Sequence, residues 1–151
     1  MKQSKIQIAA MDATHVPQIA ELERICFSDP WPDEGIRSEL NNPLSYWLVA
    51  LDGERVIGYV GSQAVLGEAD VMNVAVDPAY RRMHIGQTLL QRLQRGLAQK
   101  EVYSLTLEVR ASNDAALHLY EKLGYRQVGC RKNYYHHPKE DAFILRKEWE
   151  V

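Results

Sequence analysis

An apolar strand that runs straight into a basic turn and then into an amphipathic helix, over residues 74–90, constrains this chain more than any other stretch. Val74, Ala75 and Val76 end the strand, Asp77-Pro78 breaks it, and Arg81 and Arg82 charge the turn. Leu89, Leu90, Leu93 and Leu97 then recur at helical spacing. A turn of this kind collects free backbone N–H groups at a helix N-terminus. With the positive end of the helix dipole they form an anion site suited to a pyrophosphate. The segment alone leaves a second reading open, an ordinary strand-to-helix connection with exposed arginines.

The 151 residues suffice for one domain with its own core, with 46% hydrophobic and 25% charged residues as in soluble globular proteins. A net charge of −2 argues against general nucleic-acid affinity, which needs a basic excess. No apolar run reaches membrane-spanning length and no signal-peptide pattern opens the chain, so a cytoplasmic protein is expected. Cys26 and Cys130 lack metal-like spacing and read as reduced thiols. His136-His137 has no partnered spacing either, so a solvated loop and no metal are expected. His15 and His118 read as surface residues of helices.

The remaining pattern is mixed. Residues 6–10 alternate as a first strand, and Thr14 is placed to cap a helix reaching Cys26, with Ile19, Leu22 and Cys26 on one face. A short helix from Asp33 carries Ile36 and Leu40 inward. Strands over 46–51 and 55–65 flank the hairpin signal Asp52-Gly53. A third strand over 69–76 puts Met72, Val74 and Val76 on one face. In the strand after the long helix, Leu105, Leu107 and Val109 line one side and Glu108 the other. Asn113 caps a helix whose stripe is Ala116, Leu119, Tyr120 and Leu123, and Gly124-Tyr125 stops it. Strands over 126–131 and 141–147 complete an α+β chain.

Several segments together resemble a known family. Arg81 and Gly86 match the ends of the Arg/Gln-x-x-Gly-x-Gly/Ala loop of GCN5-related N-acetyltransferases, and residues 107–113 and 119–125 look like that family's second half. Glu23-Arg24-Ile25-Cys26-Phe27 with Pro30-Trp31, and Arg131-Lys132-Asn133-Tyr134-Tyr135, bring the chain closest to the RimI-type branch, the bacterial ribosomal-protein alanine N-acetyltransferases. The resemblance spans nearly the whole chain. It implies one acetyltransferase domain over 1–151, with a central mixed, mostly antiparallel sheet, two splayed parallel strands and flanking helices.

It also implies acetyl-CoA as co-substrate. Backbone groups of Val74, Ala75 and Val76 would hold the pantetheine arm. Arg82, Met83, His84, Ile85, Gly86 and Gln87 would hold the pyrophosphate, and Asn113 would touch the pantetheine besides capping its helix. Glu108 matches the general base and Tyr120 the acid that protonates the CoA sulfur. Read without the resemblance, Glu108 is a solvated strand-end carboxylate and Tyr120 a packing residue. His84 departs from the pattern, standing where the family has its first glycine, which serves close phosphate approach or a permissive φ.

The implied acceptor is the N-terminal alanine of small-subunit ribosomal protein number eighteen, with a basic segment behind it. An α-amine of pKa roughly 7.7–8.0 is about a tenth neutral at neutral pH, against well under ~0.1% for lysine, so one carboxylate serves it more easily. Glu21, Glu23, Asp29, Asp33, Glu34 and Glu39 outnumber Arg24 and Arg37 across 21–41 and would give an acidic rim for a basic peptide. Solvated helix faces explain the same charges. Transfer to other N-termini, lysines or small amines, and a non-catalytic acyl-CoA sensor, remain open at this point.

Overall fold

Four strands form an antiparallel meander: β1 (Ile6–Ala10), β2 (Ser45–Asp52), β3 (Arg55–Val65) and β4 (Glu68–Val76). The computed structural model describes residues 5–151. The turn between β2 and β3 holds Gly53 at φ 64°, which is why the hairpin signal was decisive there. Beyond β4 come β5 (Ser104–Arg110), β6 (Arg126–His136) and β7 (Lys139–Glu148). Among the described residues they make one seven-stranded sheet ordered β1-β2-β3-β4-β5-β7-β6, antiparallel except where β4 meets β5.

The helices α1 (Val16–Cys26) and α2 (Asp33–Ser38) cover one face, while α3 (Ile85–Gln99) and α4 (Asp114–Lys122) cover the other. The side chains of Ile85, Leu89, Leu90, Leu93 and Leu97 are buried from α3, each burial stabilising by roughly 1.5–3 kcal/mol. Val16, Ile19 and Leu22 of α1 and Ile36 of α2 fill the second layer with Trp47, Val49 and Tyr59.

The parallel contact is short. Only Glu68, Ala69 and Asp70 pair with Ser104, Leu105 and Thr106. After that the strands part, and a β-bulge begins the divergence. Asn73 lies opposite Gly61 while Val71 lies opposite Ser62, so Met72 is the extra residue. The bulge resets the alternation. Ala69 and Val71, then Val74 and Val76, face α3, whereas Met72 and Ala75 face α1. The expected common face for Met72, Val74 and Val76 is therefore corrected, because a strict period of two cannot cross a bulge.

Other expectations shift for local reasons. Asp12, not Thr14, caps the entry to α1: its Oδ1 accepts from the Thr14 N–H at 2.8 Å, and its own N–H donates to His15 Nδ1 at 3.0 Å. That bond buries His15, which is not a surface residue. On α4 it is Leu117 rather than Leu119 that joins Ala116, Tyr120 and Leu123 on the core. The α4 stop is as expected, with Gly124 at φ 100° and the Tyr125 N–H donating to Tyr120 O at 2.9 Å. Strands β6 and β7 run longer than the pattern suggested, because an irregularity around Asn133 (φ 54°) interrupts the pairing without ending it.

Candidate active site

The gap between β4 and β5 is built from both sides. On the β4 side, the Asp77 N–H donates to Ile57 O at 2.8 Å. By antiparallel alternation, Ala75 then directs its backbone groups into the ladder with β3, while Val76 and Val74 turn theirs to the gap. Of the three residues expected to hold the pantetheine, Val74 and Val76 thus turn backbone groups to the gap, and Ala75 does not. The strand leaves through Asp77, whose Oδ1 accepts from the Ala79 N–H at 2.9 Å and whose Oδ2 accepts from Arg55 at 3.1 Å.

The basic turn follows. Arg82 and His84 sit at φ 70° and 60° and are exposed, while Met83 between them packs on the core and Ile85 is buried. This answers why a glycine belongs at His84: the position demands the left-handed region, which histidine enters at a cost of about 1–2 kcal/mol. His84 O accepts the first helical bond, from the Thr88 N–H at 3.0 Å. The N–H groups of Ile85, Gly86 and Gln87 accordingly have no acceptor within α3. The Gln87 side chain turns inward, its Oε1 buried without a hydrogen-bond partner among the described residues.

Gly86 tests whether a phosphate fits. A Cβ added there would meet only Val76 Cγ2, at 3.9 Å. Nothing in the protein's own packing requires a glycine at the first turn of α3, beside the free N–H groups. The residues present fit a pyrophosphate.

On the β5 side, Leu105, Leu107 and Val109 are buried under α4 and Glu108 faces the opposite way, as its alternation predicted. Its side chain is 25% exposed, and Oε2 accepts from Arg131 Nε at 3.2 Å. Tyr120 projects from α4 on the other face, 7% exposed, with its ring edge-on to Tyr125 at 5.7 Å. Its hydroxyl makes no hydrogen bond among the described residues. Burial, with Tyr135 nearby, pushes its pKa up to about 12. Asn113 caps α4, its Oδ1 accepting from the Ala116 N–H at 3.2 Å.

The wall beside Glu108 was missed as a site, although its residues stand in the 131–135 motif. Arg131 lies over the Tyr134 ring at 5.8 Å, Arg110 lies over Tyr135 at 4.2 Å, and the two tyrosines meet edge-to-face at 5.0 Å. Ser28 Oγ donates to His137 O at 2.9 Å, and His137 Nδ1 lies 3.2 Å from Asp29 Oδ2. These contacts join the α1–α2 loop to the β6–β7 turn. His137 is thus exposed but engaged. The acidic rim shrinks, because Glu23 and Glu39 are buried; Glu39 accepts from Ser45, Trp47 and Gln63.

The sequence and this architecture match one family, described as the acetyltransferase (GNAT) family, over residues 16–125. The chain belongs to it. The chain is 35% identical over 140 residues to the ribosomal protein bS18-alanine N-acetyltransferase of Escherichia coli, covering 91% of this chain and 94% of that protein. It is 37% identical over 150 residues to the N-alpha-acetyltransferase RimI of Mycobacterium tuberculosis, covering 95% and 92%. The crystal structure of the ribosomal-protein-S18-alanine N-acetyltransferase from Escherichia coli superposes with a TM-score of 0.89 at 32% identity, over 97% of this chain and 95% of that one. Acetyl-CoA is the acyl donor of GNAT acetyltransferases. Among the described residues no helix is long and apolar enough to cross a membrane.

Proposed function

We propose that this acetyltransferase acetylates the α-amine of an N-terminal alanine on a basic ribosomal-protein segment, by direct attack in a ternary complex. The relatives' names support that acceptor. The observation that supports the chemistry is that Glu108 stands on the face of β5 turned away from the α4 core, while Tyr120 lies in that core with a hydroxyl unpaired among the described residues.

Acetyl-CoA, when bound, supplies the acyl carbon and a thiolate leaving group. The loop from 82 to 87 and the N-terminus of α3 would bind its pyrophosphate, and the Val74 and Val76 backbones would orient the arm. Glu108, on the face away from α4, accepts the proton that the attacking amine loses as the C–N bond forms. Tyr120, on the α4 face, gives its proton to the sulfur as the C–S bond breaks. Its raised pKa keeps that proton in place at every working pH. Placing base and acid on opposite faces lets the amine enter from one side and the thiol leave from the other.

Intact-mass analysis tests the acceptor. A peptide with a free N-terminal alanine and a basic tail should gain one acetyl group in the presence of acetyl-CoA. The same peptide with its α-amine blocked and its lysines free should gain none. Equal gain on the blocked peptide would make this a lysine acetyltransferase.

A further inference from the structure

Glu23 is a carboxylate that the reaction does not use and that packing alone does not require. It is 1% exposed near the end of α1. Its Oε1 accepts from the Trp31 N–H at 2.9 Å; its Oε2 accepts from Asn73 Nδ2 at 2.7 Å and from the Tyr59 hydroxyl. No cation pairs with it among the described residues. An apolar side chain of the same volume would avoid the desolvation cost of such a group.

Its three donors lie where the site needs registration. Trp31 belongs to the loop over residues 27–32, whose Ser28 and Asp29 reach across to His137. Asn73 sits between the Met72 bulge and Val74, at the root of the strand segment that borders the gap. Tyr59 fixes the carboxylate from β3, and the aromatic row in which Trp31 meets Trp47 edge-on at 5.6 Å and Trp47 stacks on Tyr59 at 6.0 Å holds the same surfaces together. One carboxylate therefore ties the loop on the α1 side of the gap to the strand that forms its wall.

We propose that Glu23 is a positioning residue for the acceptor: by tying the 27–32 loop to Asn73 it sets where the incoming amine lies relative to the Val74–Val76 wall. This rests on the function proposed above. The near-attack geometry of such a reaction tolerates little error, since a displacement of about 1 Å can cost ~10²-fold. Through Ser28 and Asp29 the loop reaches the β6–β7 turn, whose His137 and Pro138 carbonyls accept from Arg110, two residues along β5 from Glu108, so the effect is assigned to the acceptor.

Kinetics with an alanine-ended basic peptide, paired with hydrogen exchange of the 27–32 loop, tests this. Glu23→Gln keeps the shape but turns one acceptor atom into a donor facing donors. It should raise the peptide KM by about tenfold or more while the acetyl-CoA KM stays within about twofold, and loop exchange should quicken. The swap Glu23→Gln with Asn73→Asp restores a matched donor and acceptor, and should return the peptide KM to within about threefold of wild type. Tyr59→Phe removes a donor but neither tie, so it should lower the melting temperature and leave the peptide KM alone.

An unchanged peptide KM in folded Glu23→Gln, or two KM values rising together without rescue by the swap, overturns the proposal. Should Glu23→Gln not fold, Asn73→Ser breaks only the strand tie and must raise the peptide KM several-fold; no change there overturns the proposal as well. A wild-type enzyme inert on every peptide would instead defeat the functional reading, whereas unaltered loop exchange in Glu23→Gln defeats the tie itself.

Discussion

The two walls of the gap are made differently. The β4 wall is clamped from both faces, by α3 under Val74 and Val76 and by α1 over Ala75, with a buried, triply bonded carboxylate behind it. The β5 wall is covered by α4 on one face only; on the other, Glu108 meets an Arg131 that is 56% exposed. On the proposed reading, the clamped wall and its turn would hold one invariant ligand in one pose through backbone groups, and the open wall would exchange protons through side chains. Binding then falls on the clamped wall, the base on the solvent-reached face of the other wall, and the acid on its covered face, where Tyr120 is 7% exposed.

If that division holds, changes on the open wall should cost rate without costing stability. Glu108→Gln should lower kcat/KM by about 10²–10⁴-fold. Its melting temperature should barely move, because an exposed pair such as Glu108–Arg131 is worth at most ~1 kcal/mol. Tyr120→Phe should show the same split, since its hydroxyl has no partner to lose. The rate–pH profile of the wild type should rise as the acceptor α-amine deprotonates near ~8. It should show no fall from Tyr120 until pH nears the tyrosine's own value of about 12. A Tyr120→Phe enzyme with full turnover would show that the hydroxyl is not the acid.

The clamped wall should respond in the opposite sense, in binding. Gly86→Ala has room for its methyl group, so thermal melts should show unchanged or slightly raised stability, by up to about 1 kcal/mol. Calorimetry should nonetheless find acetyl-CoA binding weakened roughly tenfold, a loss of ~1.4 kcal/mol. Undiminished affinity would mean that the phosphates do not approach Gly86.

The smallest effect is expected at His84. Glycine there relieves a left-handed backbone but frees the unfolded chain, which returns about 0.4–1 kcal/mol. The net gain should be under ~1 kcal/mol, or a few degrees of melting temperature. Acetyl-CoA should bind His84→Gly as well as the wild type or better. A clear loss of affinity would instead show the imidazole donating to a phosphate.

Much of this was legible in the chain. The alternation around Glu108, the leucine spacing of α3 and the Gly124 stop are local signals, and the structure keeps them. The failures that reach the gap have one cause in common. Whether Met72 faces α3 or α1 depends on a bulge whose registry partner is Gly61, and whether Glu23 is a rim charge or a buried anchor depends on Tyr59 and Asn73. Both partners lie far away in sequence, and nothing in the local pattern announces them. Gly61 is the example that reads back most directly. A Cβ there would come within 2.2 Å of the Trp47 ring, so the glycine is set by its cross-strand neighbour and not by any turn.

The extra residue at Met72 also governs how this protein can change over generations. Without Met72, Asn73 would follow Val71 directly, still opposite Gly61 and Ser62, and Val71, Val74 and Val76 would share one face in an unbroken period of two. The faces survive that loss, but the bend and extra twist of the bulge do not. A descendant that drops this one residue would keep the core of the strand and straighten it, so the width of the gap is what the insertion carries.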